Sequence, residues 1–318
     1  MGAGGVGPVT APSPPTASRP AVLVGLIGQG VGPSLTPPMH ELEGARHGMT
    51  YIYRTIEITP AQASPDCLAQ LLWAARRMGF DGLNVTHPAK QAIVPLLDDL
   101  APSAARVGAC NTVVFDAGRM IGHNTDVTGF GSAFDAAFGG GPRERVVVVG
   151  AGGAGSAVVT ALAQRDIADL VIVDVARDRA DRLAAQSASL TDGTVRGTSA
   201  VDLRRLLAGA DGVVNATPFG MSAHPGMAFD PALLPPGAWV GDIVYRPTDT
   251  ALLLAARAHG LRTMSGLGMA MGQAADAFEI FTGAPADRVA MTQDLKDLVA
   301  AEAAATTGTA GNVREEHP

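Results

Sequence analysis

A glycine loop, Gly150-Ala151-Gly152-Gly153-Ala154-Gly155, follows four consecutive valines at 146–149 and precedes an Ala-rich stretch, 156–164, that reads as a helix. Glycines at such a turn let the backbone approach a pyrophosphate, which then sits at the positive end of the helix dipole. A carboxylate, Asp174, closes the next apolar run 19 positions after Gly155. At that place it can accept from the ribose hydroxyls of NAD and repel a 2′-phosphate. Arg177 and Arg179 stand close enough to pair with such a phosphate, so NAD is the expected cofactor and NADP the less favoured one. The bland alternative, a tight strand-to-helix turn without a ligand, does not require the acidic residue.

The second group is polar. Only two lysines occur among 23 basic residues. Lys296 reads as part of a solvated helix face. Lys90 ends Asn84-Val85-Thr86-His87-Pro88-Ala89-Lys90, which runs from a strand into a polar loop, and lysine can exchange a proton where arginine cannot. Gly108-Ala109-Cys110-Asn111-Thr112 and His123-Asn124-Thr125-Asp126 end further apolar stretches, and Ser34 and Thr36 place two hydroxyls on one side of an extended loop. Taken singly, each cluster is ordinary turn chemistry. Together they offer hydroxyls, amides, one ammonium and one carboxylate, which suits a small polyhydroxylated acid.

These residues need sheets to hold them. Short apolar runs at 21–27, 50–58, 82–85, 146–149, 170–173, 212–215 and 239–244 alternate with helical patterns, the sign of βαβ units and parallel sheets. Segments 112–115 and 119–121 read as a hairpin, and 68–78 as an amphipathic helix. The expected division is a first domain over 21–123, completed by returning helices at 264–302, and a Rossmann-type dinucleotide domain over 124–263. Gly/Pro/Ser/Thr-rich residues 1–20 and residues 303–318 are expected to be disordered tails.

Composition narrows the function. The 318 residues carry 30 acidic groups against 23 basic ones, a net charge of −7 without basic blocks, which argues against nucleic acid and anionic membranes as partners. No apolar run approaches a membrane span. Cys67 and Cys110 make no disulfide framework, and His40, His87, His123 and His224 read as caps or loop residues without metal-ligand spacing. A cytoplasmic monomer or homodimer, acting on a small-molecule hydroxy acid and holding no metal, is expected.

Five ordered motifs then resemble the shikimate dehydrogenase family: Asn84-Val85-Thr86-x-Pro-x-Lys90, Gly108-Ala109-x-Asn111-Thr112, Asn124-Thr125-Asp126-x-x-Gly129, the glycine loop, and Asn215-Ala216-Thr217-Pro218-x-Gly220-Met221. The resemblance covers nearly everything between Ala21 and Leu298. It implies NAD(P)-dependent oxidation of a ring hydroxyl, with Lys90 and Asp126 as the catalytic pair. It further implies that Ser34, Thr36, Thr86, Asn111, Tyr245 and Gln273 hold the substrate beside that pair. Gly150, Gly152, Gly153, Ala154, Asp174, Arg179, Thr217, Pro218, Ile243 and Gly266 would hold the dinucleotide.

Three features resemble the NAD-preferring quinate/shikimate branch: Thr36 in place of a common Ser, Asp174-Val175-Ala176 in place of the Asn-Arg-Ser/Thr of NADP-type members, and the stretch Gly220-Met221-Ser222-Ala223-His224-Pro225-Gly226. Gly28-Gln29-Gly30 also replaces the Gly-Asn-Pro usual in the biosynthetic branch. The expected reaction is therefore reversible oxidation of quinate or shikimate to the 3-dehydro ketone. The alternatives are an NADP-dependent biosynthetic shikimate dehydrogenase and an aminoshikimate or aminoquinate dehydrogenase. A non-catalytic dinucleotide or metabolite sensor should have lost Lys90 or Asp126, and both are present.

Overall fold

The computed structural model describes residues 21–312, with side chains to residue 304. The first half comprises β1 (Ala21–Gly28), α1 (Thr36–Arg46), β2 (Thr50–Glu57), α2 (Pro65–Arg77), β3 (Gly82–Val85), β4 (Asp99–Leu100), α3 (Pro102–Val107), β5 (Thr112–Asp116) and β6 (Arg119–His123). Its sheet has the order β2-β1-β3-β5-β6-β4, parallel across β2-β1-β3 and antiparallel through the β5–β6 hairpin. The second half follows with α4 (Thr125–Phe138), β7 (Arg145–Val149), α5 (Gly153–Ala163), β8 (Asp169–Asp174), α6 (Arg177–Ser187), β9 (Thr194–Ser199) and α7 (Leu203–Leu207). It continues with β10 (Gly212–Asn215), β11 (Trp239–Asp242), α8 (Ala251–Ala258) and β12 (Arg262–Met264). Its six strands are all parallel in the order β12-β11-β10-β7-β8-β9, a doubly wound sheet.

The valine run explains why this sheet is covered on both sides. Side chains alternate faces along a strand. Val146 and Val148 enter one core with Phe130, Phe134 and Phe138 of α4 and Leu162 of α5. Val147 and Val149 enter the opposite core with Leu252 and Leu253 of α8. A strand buried on both faces must be apolar at every position.

Two further helices, α9 (Gly266–Thr282) and α10 (Arg288–Asn312), return to the first half. Phe278 and Phe281 of α9 pack on Val22, Val24, Tyr51 and Tyr53, and Met291 and Leu295 of α10 pack with Met39 of α1. The helix α10 continues through Asn312, so the tail expected from residue 303 is helical that far. Alanines at 300, 301 and 303–305 favour that state. The expected tail at 1–20, and residues 313–318, lie outside the described residues. His40 also differs from expectation. Helix α1 begins at Thr36, which places His40 inside it and fully buried rather than in a cap or loop. Among the described residues no helix is long and apolar enough to cross a membrane.

Candidate active site

The cleft between the two sheets begins with a lysine and a carboxylate. Lys90 lies in the turns that follow β3, where its backbone carbonyl accepts from the Cys110 amide at 2.8 Å. Asp126 lies in the first turn of α4, where a carboxylate also favours the helix dipole. The helix start is fixed by Asn124, whose carboxamide oxygen accepts from the Val127 amide at 3.4 Å while its NH2 donates to the Ala109 carbonyl at 2.9 Å. The outcome is a direct contact: Lys90 Nζ donates to Asp126 Oδ2 at 2.6 Å, with side chains 24% and 12% exposed.

A buried amide network supports this pair. Asn111 Oδ1 accepts from the Thr125 amide at 2.8 Å and the Thr112 hydroxyl at 3.0 Å, and Asn111 Nδ2 donates to Thr125 Oγ1 at 3.0 Å. Asn84 donates to Thr112 Oγ1 at 2.9 Å and accepts from the Tyr53 hydroxyl at 2.5 Å. Each hydrogen bond is worth about 1 kcal/mol net, and more is lost when a buried partner is orphaned. Burial pushes the thiol of Cys110, beside them, up to about 11, which keeps it protonated.

Lys90 and Asp126 open into a cleft of about 350 Å³. Ser34, Thr36, Thr86, Asn111, Tyr245 and Gln273 line it with them, so all eight residues expected at the substrate meet in one place. Ala154, Ile243 and Gly266 line its other wall, which brings the dinucleotide half to the same cavity. Gly150, Gly152, Gly153, Asp174, Arg179, Thr217 and Pro218 do not line it; they lie outside, in the glycine loop, at the carboxyl ends of β8 and β10 and, for Arg179, in the first turn of α6.

Does that outer surface fit a dinucleotide? The four loop glycines divide into two pairs. Gly150 has φ +109°, and a Cβ there would meet the Ala216 carbonyl at 2.7 Å; one on Gly155 would meet the Gly150 carbonyl at 2.0 Å. Those two are required by packing. A Cβ on Gly152 or Gly153 would meet nothing within 4 Å. No side chain caps α5, whose N-terminus opens there. Exposed backbone at a bare helix N-terminus, at the switch point between β7 and β10, fits a pyrophosphate.

Neighbouring residues hold this surface together. Asp174 accepts from the Ala151 amide at 2.8 Å and the Ala176 amide at 2.9 Å, so it also braces the glycine loop, a role its spacing alone did not suggest. Asn215 Oδ1 accepts from the Thr217 hydroxyl at 2.6 Å, and Asn215 Nδ2 donates to Asp242, whose pKa is raised by burial. Arg177 turns to Asp181 at 3.3 Å, and Val175 is 90% exposed. Sequence reasoning overlooked Glu57 and Arg246. Glu57 receives the amides of Gly30 and Val31, and Arg246 bridges to Pro33 and Glu302; neither carries a local motif.

Comparisons agree with this geometry. Residues 26–113 match the shikimate dehydrogenase substrate binding domain, 146–224 the saccharopine dehydrogenase NADP binding domain, and 266–296 the shikimate 5′-dehydrogenase C-terminal domain. The chain is 49% identical to a shikimate dehydrogenase (NADP(+)) of Streptomyces avermitilis, over 88% of this chain and 97% of that one. It is 47% identical to a quinate/shikimate dehydrogenase (NAD(+)) of Corynebacterium glutamicum, over 87% and 99%. The solved quinate dehydrogenase from Corynebacterium glutamicum in complex with NAD superposes with a TM-score of 0.82 at 44% identity, covering 88% of this chain and 100% of that one.

Fold and cleft thus define a two-domain NAD(P)-dependent oxidoreductase. The names of its relatives divide between the two cofactors. The chain belongs to the shikimate dehydrogenase family.

Proposed function

We propose that this protein oxidises a ring hydroxyl of quinate or shikimate reversibly, with NAD preferred, and that Lys90 and Asp126 handle the proton. The single observation that carries the reading is the Lys90–Asp126 contact at 2.6 Å, in one cleft with the Ser34/Thr36 hydroxyls and the Ile243/Gly266 wall. The dinucleotide, when bound, supplies the hydride acceptor. Lys90 and Asp126 take the hydroxyl proton and stabilise the oxyanion that forms as it leaves. Ser34 and Thr36 donate to the substrate's carboxylate, and Thr86, Asn111 and Gln273 hold its ring hydroxyls. Tyr245 closes the wall beside them.

Two observations support NAD. Each Asp174 oxygen, already accepting one amide, has a second lone pair for a ribose hydroxyl. Val175, at the place of an arginine in NADP-type members, leaves a 2′-phosphate without that partner. A charged hydrogen bond gained or lost makes a preference of about ten- to a hundredfold reasonable. The test is the rise in reduced-nicotinamide absorbance on mixing protein with quinate or shikimate and either cofactor. Turnover of at least one acid, faster with NAD, is expected. Equal use of NADP would contradict the cofactor reading, and no turnover in any combination would contradict the function.

A further inference from the structure

The loop that carries Ser34 and Thr36 is held at two points, by residues from different halves of the molecule. At its start, Glu57 of β2 receives the Gly30 amide and, at 3.0 Å, the Val31 amide. Beyond that, the Ser34 amide donates to the Val31 carbonyl at 3.0 Å, and the Ser34 hydroxyl accepts from the Thr36 amide at 3.3 Å. Pro33 stands between these points and has no amide hydrogen to give. Its carbonyl is taken instead by Arg246, 213 positions away, whose Nη1 donates to it at 2.9 Å.

Arg246 follows Ile243, Val244 and Tyr245 directly, and lines the cleft together with Ile243 and Tyr245. The same Nη1 donates to both carboxylate oxygens of Glu302 in α10, at 2.8 and 3.0 Å, and the guanidinium lies 5.5 Å from the centre of the Tyr245 ring. Glu302 balances the guanidinium charge, which favours a role in holding backbone over one as a bare cation for an anion.

We propose that Arg246 is a positioning residue for the carboxylate end of the substrate. From the dinucleotide side it fixes Pro33 and through it the Ser34/Thr36 hydroxyl pair. The proposal rests on the reading of the cleft given above. It says that substrate grip, rather than the chemical step, depends on this cross-cleft contact.

The experiment is steady-state oxidation of quinate or shikimate by wild type, Arg246→Ala, Arg246→Lys, Ser34→Ala and the double variant Arg246→Ala/Ser34→Ala, with NAD affinity measured alongside. Arg246→Ala should raise KM for the acid about tenfold, the effect of one charge-assisted hydrogen bond. Its kcat and NAD affinity should stay within about twofold, since binding lost equally in ground and transition states moves KM alone. Arg246→Lys, which keeps a donor, should recover part of the loss. The double variant should raise KM by clearly less than the product of the two single effects, because part of the arginine's action runs through Ser34. Should Arg246→Ala melt below the assay temperature, Arg246→Gln carries the same comparison. An unchanged KM in Arg246→Ala, a fall confined to kcat, or multiplying effects in the double variant would overturn the proposal. Wild-type protein inactive on both acids would instead remove the functional reading, and this proposal with it.

Discussion

In the proposed reading, two single residues act in different ways: Lys90 through its contact with Asp126, and exposed Val175 through the guanidinium it does not provide. Asp174→Asn is a blunt probe of cofactor choice, since an amide has one acceptor oxygen and would release Ala151 or Ala176 as well. Val175→Arg is cleaner. It should raise kcat/KM with NADP about tenfold and leave the NAD value nearly unchanged, measured with saturating acid substrate. On the substrate side, Thr36→Ser removes one methyl from the cleft wall. The quinate-to-shikimate ratio of kcat/KM should then move toward shikimate by about tenfold at most, the range of methyl-scale discrimination. A ratio that stays put would place quinate tolerance elsewhere.

His40 makes a residue-scale prediction about pH. It is fully buried among Tyr51, Tyr53, Phe278 and Phe281, its Nδ1 is 3.0 Å from the Tyr51 hydroxyl, and its Nε2 has no partner. Burial lowers its pKa from 6.5 to about 3. The folded state therefore keeps His40 neutral where the unfolded chain takes up a proton. The resulting loss of stability begins as pH falls through 6.5, grows toward the folded value, and is absent at higher pH. At pH 5 it amounts to about 2 kcal/mol by linkage. His40→Asn, which keeps an acceptor near Nδ1, should lose about that much less stability between pH 7 and 5 in urea unfolding. Equal pH dependence in the two proteins would refute the assignment.

Among elements, α4 and α9 set the reach of the site. They cross at Gly129 and Gly272, and a Cβ on Gly129 would meet the Gln273 amide nitrogen at 2.5 Å and the Met269 carbonyl at 2.9 Å. The crossing brings Asp126, one turn before Gly129, into the same cleft as Gln273. Gly129→Ala should force the helices apart, lowering stability by about 1–3 kcal/mol and kcat along with it. Thermal melting and a rate assay on the same sample check both, and a variant with wild-type melting and rate would show that the crossing has slack. The sequence made the strands of continuous valine and isoleucine legible because burial on both faces leaves no polar position to blur them. It hid β9, whose Thr-Val-Arg-Gly-Thr-Ser is a half-polar edge strand, and β12, which has only three residues. The chain before Arg145 also went unread as the helix α4, although Phe130, Phe134 and Phe138 recur every four residues on one face.

Across the whole molecule, the cleft exists because the chain crosses to the second sheet and returns. Local motifs identified Lys90, Asp126 and the glycine loop, because turns and helix starts are short-range structures with short-range signals. They could not identify Glu57 or Arg246, whose partners lie 26–27 and 56–213 positions away. Nor could spacing show that Asp174, expected to meet the ribose hydroxyls, also braces the glycine loop. The measurement that tests the account most directly is kcat for acid oxidation in Lys90→Ala and Lys90→Arg, with NAD affinity determined on the same preparations. The account predicts a fall of about a hundredfold or more in both, with NAD affinity retained, because arginine keeps the charge but cannot give up the proton. A kcat near wild type in Lys90→Arg would contradict it and leave Lys90 as an electrostatic anchor.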